Sequence, residues 1–478
     1  MKNKKNSKIW LILSSISALT AILPLAAISC DHKVKQNSKE NNEDLKPDEN
    51  KPEPKPENPT KEDLKPDENK PEPKPENPTK EEDSSNLNKT FKFELTKSNT
   101  WKIAKYIGND SEVIIPKEYQ GKNITEIGNG AFSNSVIQSV TIPCSIKKIG
   151  DYAFEYSQNL KEVILNEGLE EIGAEAFNHT NIKSITIPGS VKEIGKYAFS
   201  GCQNLEEVIL NEGLEKIGAG AFNYTRIESI NIPGSVKEIG GSAFSWCENL
   251  KEVILNEGLE KIGYEAFRDT NIDSITIPSS VKEIGEDVFY LCQNLKEVTL
   301  NEGLEKIGAR AFSNTKIESI TIPGSVKEID NSIFSGCKNL KEVTLNEGLE
   351  KIGAGEFENT NIKSITIPGS VKEIGGGAFS ECHSLEEVIL NEGLEKIGGY
   401  AFLYTNIESI TIPGSVKEIG DGAFSHCYGL KEVILNEGLE KIGNWAFDYT
   451  PVKSITIPGS VKEIGVEAFY IANIIYKH

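Results

Sequence analysis

The chain has 478 residues, a net charge of −20 and eight cysteines. Residues 1–30 carry +4 and residues 31–89 carry −5, from 12 lysines against 17 acidic residues, which leaves −19 on residues 90–478. So acidic a surface excludes nucleic acid, heparin-like chains and anionic bilayers as main partners, and basic protein surfaces remain open.

Residues 1–29 are predicted to be a signal peptide, with Lys2, Lys4, Lys5 and Lys8 before an uncharged stretch. Ala27-Ile28-Ser29-Cys30 resembles a lipobox, in a form similar to that of mollicute lipoproteins. The resemblance implies cleavage before Cys30 and palmitate-type acylation of its thiol. An uncleaved membrane helix is the alternative, since about 20 apolar residues span a bilayer. Both interpretations place the remaining chain on the extracellular face of the cell membrane.

Residues 30–89 are predicted to be a disordered spacer. Residues 43–61 recur without change as residues 62–80, and both copies are rich in Pro, Lys and Glu. Such a segment has too few large apolar groups to fold and favours extended polyproline-like structure. At roughly 3 Å per residue it reaches on the order of 150 Å when fully extended.

The remaining chain is a tandem repeat. A proline recurs every 45 residues from Pro143 to Pro458, and each 45-residue block consists of two similar halves. One half reads L-x-x-V-x-L-N-E-G-L-x-x-I-G-x-x-A-F and the other I-x-x-I-x-I-P-G-S-V-x-x-I-G-x-x-A-F. Sixteen phenylalanines mark sixteen coils, with gaps of 22 and 23 residues from Phe132 to Phe469. A unit this short with an L-x-x-L-x-L core is typical of a leucine-rich repeat.

The I-P-x-S-V-x-x-I-G-x-x-A-F motif followed by C-x-x-L resembles BspA-like leucine-rich-repeat proteins of bacterial surfaces. The similarity covers roughly Phe91 to the C-terminus, and Trp101 to Phe132 is similar to that family's opening unit. The resemblance implies a curved solenoid on a cell surface that binds other proteins or cells. We therefore assign residues 90–131 to an N-terminal cap and first coil, and residues 132–478 to the solenoid.

The predicted fold class is an α/β solenoid in which each coil has a short strand and an irregular or short helical return segment. Two columns of alternating Glu and Lys, one starting at Glu170 and the other at Glu193, are predicted to keep neighbouring coils in register. Six cysteines from Cys202 to Cys427 recur every 45 residues. Successive cysteines lie two coils apart, which is about 10 Å and exceeds the distance that a disulfide can span. They are therefore interpreted as small buried thiols.

Motifs for catalysis, cofactor binding or metal binding are not found in the sequence. It contains five histidines but no phosphate-binding loop, no nucleophile elbow and no H-E-x-x-H. We therefore expect no enzyme activity, no cofactor, no metal and no small-molecule substrate.

Residues two before and two after each phenylalanine vary most between coils, and this is where a specific binding site is expected. Exposed aromatic residues are typical of protein-binding surfaces. The candidate partner-binding residues form two patches and are Tyr224, Trp246, Tyr264, Tyr400, Tyr404, Trp445 and Tyr449. One alternative is that these rings only pack across neighbouring loops. Another is that the β-branched strand face binds an extended or repetitive ligand.

The sequence thus predicts a lipid-anchored surface protein whose solenoid acts as an adhesin or protein-binding module toward host or neighbouring-cell proteins. The alternative is a structural surface-coat or immune-decoy protein without a specific receptor, because near-identical tandem blocks invite recombination.

Overall fold

The computed structural model describes residues 84–469 and 473–477. The predicted signal peptide, the lipid attachment at Cys30 and the spacer up to residue 83 lie outside the described residues. Within the described ranges, none of the helical structure is long and apolar enough to cross a membrane.

The N-terminal cap consists of helix α1 (Ser84–Thr90) and strands β1 (Phe91–Leu95), β2 (Trp101–Tyr106), β3 (Glu112–Ile114), β4 (Glu118–Tyr119) and β5 (Lys122–Ile127). Strand β1 pairs antiparallel with β2, and β2 pairs parallel with β5. Tyr106 stacks on Phe132 with ring centroids 5.0 Å apart, so the cap covers the first ring of the repeat core.

From residue 139 onward, each coil begins with a four-residue strand. The even-numbered strands are Ser139–Ile142 (β6), Glu162–Leu165 (β8), Ser184–Ile187 (β10), Glu207–Leu210 (β12), Ser229–Ile232 (β14), Glu252–Leu255 (β16), Ser274–Ile277 (β18), Glu297–Leu300 (β20), Ser319–Ile322 (β22), Glu342–Leu345 (β24), Ser364–Ile367 (β26), Glu387–Leu390 (β28), Ser409–Ile412 (β30), Glu432–Leu435 (β32), Ser454–Ile457 (β34) and Asn473–Tyr476 (β36).

After a tight turn the chain forms a two-residue strand on a second side of the coil. The odd-numbered strands are Lys148–Ile149 (β7), Glu171–Ile172 (β9), Glu193–Ile194 (β11), Lys216–Ile217 (β13), Glu238–Ile239 (β15), Lys261–Ile262 (β17), Glu283–Ile284 (β19), Lys306–Ile307 (β21), Glu328–Ile329 (β23), Lys351–Ile352 (β25), Glu373–Ile374 (β27), Lys396–Ile397 (β29), Glu418–Ile419 (β31), Lys441–Ile442 (β33) and Glu463–Ile464 (β35).

The two strand sets differ in how they pair. The two-residue strands form one parallel sheet that runs from β5 through β35 without interruption. The four-residue strands pair across the 23-residue steps, as in β10 with β12, but not across the 22-residue step from β12 to β14. A slot of about 290 Å³ lies at one such break, between β16 and β18. The strand side is therefore a series of two-stranded sheets, preceded by one three-stranded sheet of β3, β6 and β8, and not a continuous sheet.

A single stack of phenylalanine rings runs through the core along the solenoid. From Phe132 to Phe469, consecutive centroids lie 4.8 to 5.7 Å apart with near-parallel planes. Alternate strand residues such as Ile185 and Ile187 are also buried and face this stack. Aromatic pairs contribute about 0.5–1.5 kcal/mol beyond their buried area, and each ring has a neighbour only because coils stack.

The return segments were predicted to be irregular or short helical, and their helical form and the α/β description of the fold are not confirmed. Among the described residues the repeats contain two-residue strands and turns, and the single helix α1 lies in the cap. The physical reason is that most N–H groups of the return segments donate to the preceding or the following coil, and the others close three-residue turns, instead of forming i to i−4 bonds within a coil. The fold is a leucine-rich-repeat β-solenoid of about sixteen coils.

The turns and the charged columns keep neighbouring coils in register. The Glu167 carboxylate accepts the N–H groups of Gly189 and Ser190 on the next coil, each at 3.2 Å. The predicted Glu/Lys columns form inter-coil ion pairs, such as Lys192 with Glu215 at 3.2 Å. These pairs are exposed and therefore worth at most about 1 kcal/mol each.

Candidate interaction surface

The third side of each coil is a loop that contains the core phenylalanine, and its geometry repeats from coil to coil. Wherever the structure describes them, the residues two before and two after this phenylalanine have φ between 53° and 73°. This is the left-handed region, which non-glycine residues rarely adopt. We call these two residues the outer pair of a coil. The positions that vary most in sequence are thus the left-handed positions.

Backbone hydrogen bonds fix the outer pairs. In the coil of Phe244, the N–H groups of Ser242, Phe244 and Trp246 donate to the carbonyls of Tyr264, Ala266 and Arg268 on the next coil, at 2.7, 2.8 and 2.9 Å. With these donors satisfied between coils, the outer-pair side chains project from a rigid backbone.

Three of the predicted residues lie on neighbouring coils toward the N-terminal end. Tyr224 and Trp246 stack with ring centroids 5.9 Å apart and planes 8° apart. Tyr264 belongs to the next coil, one residue before the outer-pair residue Glu265, and its ring leans back over Gly241. The structure therefore stacks Tyr224 on Trp246 and places the Tyr264 ring on the side of its coil that precedes the phenylalanine.

The other four predicted residues lie on the coils of Phe402 and Phe447. His426, on the coil between them, lies 4.7 Å from the Tyr404 ring and 4.6 Å from the Tyr449 ring, measured between centroids. Tyr400 leans over Gly422 of the next coil, and the Trp445 indole N–H donates to Glu467 at 3.0 Å. All seven predicted rings are 38% to 57% exposed.

Several rings rest on glycines of an adjacent coil. A side-chain carbon at Gly220 would collide with the Tyr197 ring, and one at Gly201 would meet the imidazole of His179. Packing across loops therefore occurs, yet the rings stay substantially exposed. The two readings of the sequence, packing and exposure for binding, are compatible.

The sequence prediction missed further aromatic residues at outer-pair positions. Tyr152, Tyr156 and Tyr197 are exposed, and Tyr156 stacks on His179 at 5.1 Å. We call Tyr152, Tyr156, His179, Tyr197, Tyr224 and Trp246 the N-terminal aromatic zone, and Tyr400, Tyr404, His426, Trp445 and Tyr449 the C-terminal aromatic zone. The signal that finds them is their place two residues from a core phenylalanine.

A groove lies on the loop side where outer-pair side chains are small. It has a volume of about 510 Å³ and spans the coils of Phe334 to Phe402. Gly355, Gly376, Gly377 and Gly399 form part of its lining, and Tyr400 borders one end.

The strand side presents a more uniform surface. Its exposed stripe includes Ile209 and Ile254, each 46% exposed, at positions that threonine occupies in other coils. This stripe is the second candidate surface.

The six repeated cysteines have structural surroundings. Each is buried, and Cys202 Sγ lies 3.1 Å from the Phe177 carbonyl and 3.2 Å from Thr180 Oγ1. Burial raises the pKa of each of the six thiols to about 11. Thiols so buried and so weakly acidic are poor nucleophiles and poor metal ligands. In the described ranges, no group of His, Cys, Asp or Glu is arranged to hold a metal ion.

One buried carboxyl was not expected. Glu356 occupies the alanine position before Phe357 and is fully buried. Its Oε2 accepts the Ile333 N–H at 3.3 Å, whereas Oε1 has no hydrogen-bond partner. Burial holds the pKa of Glu356 well above its ordinary value, and the nearby charge of Asp330 adds to this effect.

The chain is similar in fold to solved bacterial leucine-rich-repeat proteins. One from Bacteroides ovatus is 28% identical, with a TM-score of 0.60, over 79% of this chain and 98% of that one. A leucine-rich cell surface protein from Faecalibacterium prausnitzii is 25% identical over 73% of this chain and 93% of that one, with a TM-score of 0.36. The pneumococcal vaccine antigen PcpA is 24% identical over 81% and 96%, with a TM-score of 0.45. Among curated proteins, none matches the chain.

The family comparison covers most of the repeat region. The model of the BspA type leucine-rich repeat region, with six copies, matches residues 125–251, 170–294, 260–376 and 350–475. These overlapping matches span more than half of the chain and coincide with the coils described above. The chain belongs to the BspA-type leucine-rich-repeat family.

Proposed function

We propose that this chain is a lipid-anchored cell-surface protein whose solenoid acts as an adhesin, binding host or neighbouring-cell proteins through its loop side. The observation that carries the proposal is the exposure of aromatic rings on a backbone fixed by inter-coil hydrogen bonds. Rigid Tyr and Trp side chains supply contact area at low entropic cost. Leucine-rich repeats generally bind proteins, and repeats of this kind are typically non-enzymatic.

The proposed anchor is the acylated thiol of Cys30, with residues 30–89 as a spacer that holds the solenoid away from the membrane. It places the solenoid on the extracellular face. The acidic repeat region, with −19 on residues 90–478, favours a partner surface that is basic or neutral.

The test is binding to an array of extracellular-matrix proteins and to host cells, with two matched variants. The loop-side variant combines Tyr224→Asn and Trp246→Asn, because Asn314 and Asn359 already occupy the equivalent left-handed position. The strand-side variant combines Ile209→Thr and Ile254→Thr, because Thr299 and Thr344 occupy the equivalent strand position.

We expect saturable binding whose affinity falls about tenfold or more in the loop-side variant and is unchanged in the strand-side variant. The reason is that a few aromatic residues at the centre of an interface supply most of its binding energy. The reverse pattern would assign binding to the strand face. Absence of saturable binding by the unaltered chain would leave the surface-coat or decoy function.

A further inference from the structure

The groove on the loop side is open because successive coils have small residues there. Its lining includes, in chain order, Gly355, Gly376, Gly377 and Gly399, with Tyr400 at one end. The volume of about 510 Å³ lies within the roughly 300–1,000 Å³ of small-ligand pockets. Small residues alone do not make a binding site, so the polar groups that face the groove decide what it can hold.

Three side chains bring oxygen atoms without partners to this groove. A side-chain carbon at Gly355 would lie 3.1 Å from Ser332 Oγ and 3.4 Å from Glu358 Oε2. Ser380 lines the same groove and is only 7% exposed. Within the described part of the chain, none of these three side-chain oxygens has a hydrogen-bond partner. A ligand that reaches Ser380 therefore completes a hydrogen bond that the protein itself leaves open.

Two backbone N–H groups add hydrogen-bond donors. The residue three before a core phenylalanine donates its N–H to the preceding coil where that coil has Asp or Asn at the same position, as Asn444 does to Asp421 Oδ1 at 2.8 Å. The coils before Gly376 and Gly399 have Ala354 and Gly376 there, which carry no side-chain oxygen. The N–H groups of Gly376 and Gly399 therefore have no acceptor among the residues that the structure describes, and both residues line the groove.

This set of groups discriminates between classes of ligand. Of the described residues that line the groove, Glu358 alone is charged, so an anion is repelled. A lysine or arginine side chain could pair with Glu358 but would leave both N–H groups unpaired, and an apolar group would leave every polar group unpaired. A hydroxyl both donates and accepts, so an uncharged ligand with several hydroxyls satisfies donors and acceptors together.

We propose that this groove binds an uncharged glycan, with sugar rings lying across the coils of Phe357 and Phe379. Sugar hydroxyls accept the N–H groups of Gly376 and Gly399, and other hydroxyls donate to Glu358 and Ser380. The Tyr400 ring is 47% exposed and packs against the C–H groups of a sugar ring at the end of the groove, because the face of an aromatic ring is electronegative.

The glycan site does not depend on the proposed protein binding. It shares Tyr400 with the C-terminal aromatic zone but does not include Tyr224 or Trp246, so either role can fail without the other.

The experiment begins with the full chain in mild detergent on an array of uncharged, sialylated and sulfated glycans. The uncharged glycan with the strongest signal is then titrated by calorimetry at low and high salt, with hexalysine as the cationic probe. Screening by salt weakens the binding of a charged ligand and leaves that of an uncharged one unchanged.

The main variant is Gly376→Asn, which fills the groove and gives the Gly399 N–H an acceptor. Asn331 already plays this part for the Ala354 N–H at 2.9 Å, so the repeat accommodates the change. The matched control is Ala174→Asn, the same change at the equivalent position of a coil outside the groove.

A second pair of variants tests the ring at the end of the groove. Tyr400→Ser removes the ring at a left-handed position that Ser242 and Ser332 occupy in other coils. Tyr400→Phe keeps the ring and removes only its hydroxyl.

We expect saturable, salt-independent binding of an uncharged glycan that weakens at least tenfold in Gly376→Asn and Tyr400→Ser, and persists in Ala174→Asn and Tyr400→Phe. An array without binding to any uncharged glycan, binding confined to hexalysine or to anionic glycans, or glycan binding that survives Gly376→Asn would overturn the proposal. Gly376→Asn should keep matrix-protein binding, and the Tyr224→Asn, Trp246→Asn variant should keep glycan binding, so the two roles are tested separately.

Discussion

The buried carboxyl of Glu356 makes the free energy of unfolding of the solenoid depend on pH, and the substitution Glu356→Gln removes this dependence. In neighbouring coils the equivalent N–H is paired within its own turn, as Ala311 N–H is with the Gly308 carbonyl at 3.3 Å. The Ile333 N–H donates instead to Glu356. Glu356→Gln keeps an acceptor for Ile333 and removes the ionisable group, so it isolates the effect of charge.

The sign follows from the raised pKa of Glu356. Below its ordinary value of 4.5, both the folded and the unfolded chain hold the proton, and the carboxyl does not lower stability. As pH rises above 4.5, the unfolded chain releases this proton while the folded chain keeps it. Each pH unit therefore lowers the free energy of unfolding by about 1.4 kcal/mol, until the raised folded pKa is passed.

The assay compares urea unfolding of the natural chain and Glu356→Gln at several pH values, with hydrogen exchange at the coil of Phe334 as a local measure, because repeat arrays need not unfold in one step. Titration of all other groups is common to both chains and cancels in the difference. A difference that grows with pH confirms the argument. Parallel stability curves would show that Glu356 ionises normally and refute it. Glu356→Ala is a poorer test, since it leaves a cavity and an unpaired Ile333 N–H.

Four further outcomes are expected. Phe244→Ala, which interrupts the ring stack, should lower the free energy of unfolding by about 3–5 kcal/mol in urea titrations, and a loss below about 1 kcal/mol would contradict the stacked core. Lys261→Gln, which removes the 3.0 Å pair with Glu283 without adding a like charge, should cost at most about 1 kcal/mol, and this cost should shrink in high salt. The six thiols with pKa values of about 11 should stay unmodified by a maleimide at pH 7.5 in peptide mapping by mass spectrometry, and react only after unfolding. Cys30→Ala should abolish incorporation of a palmitate analogue in cells, and retained label would contradict the proposed anchor.

The sequence was sufficient to predict the coil length, the core column and the inter-coil charge pairing. The 22- and 23-residue spacing of the phenylalanines predicts the ring stack. Coils this short can bury their apolar side chains only against the coils before and after them, so equivalent phenylalanines come into contact. The Glu/Lys columns likewise became ion pairs such as Lys237 with Glu260 at 3.6 Å. The repeat period and the residue pattern are enough to predict a contact that every coil repeats.

The return segment could not be predicted in the same way. Its I-G-x-x-A-F pattern contains helix-forming residues and gives no local sign that its N–H groups bond to the next coil. The alternation of paired and unpaired four-residue strands was also missed, although it follows the 23- and 22-residue steps. Both features depend on contacts between coils, which a reading of one coil leaves out.

The sequence contained a signal for the left-handed backbone of the outer pairs, which the sequence analysis did not use. Gly201, Gly220, Gly355 and Gly422 occur at the same positions, relative to the core phenylalanine, as tyrosines and tryptophans of other coils. A column that alternates between glycine and large rings indicates a backbone with positive φ, and not a loop free to vary. It also predicts which ring rests on which glycine, as Tyr197 does on Gly220. The backbone favours glycine or asparagine there, so each ring has a conformational cost that core packing does not require. The proposed binding role would give this cost a physical reason.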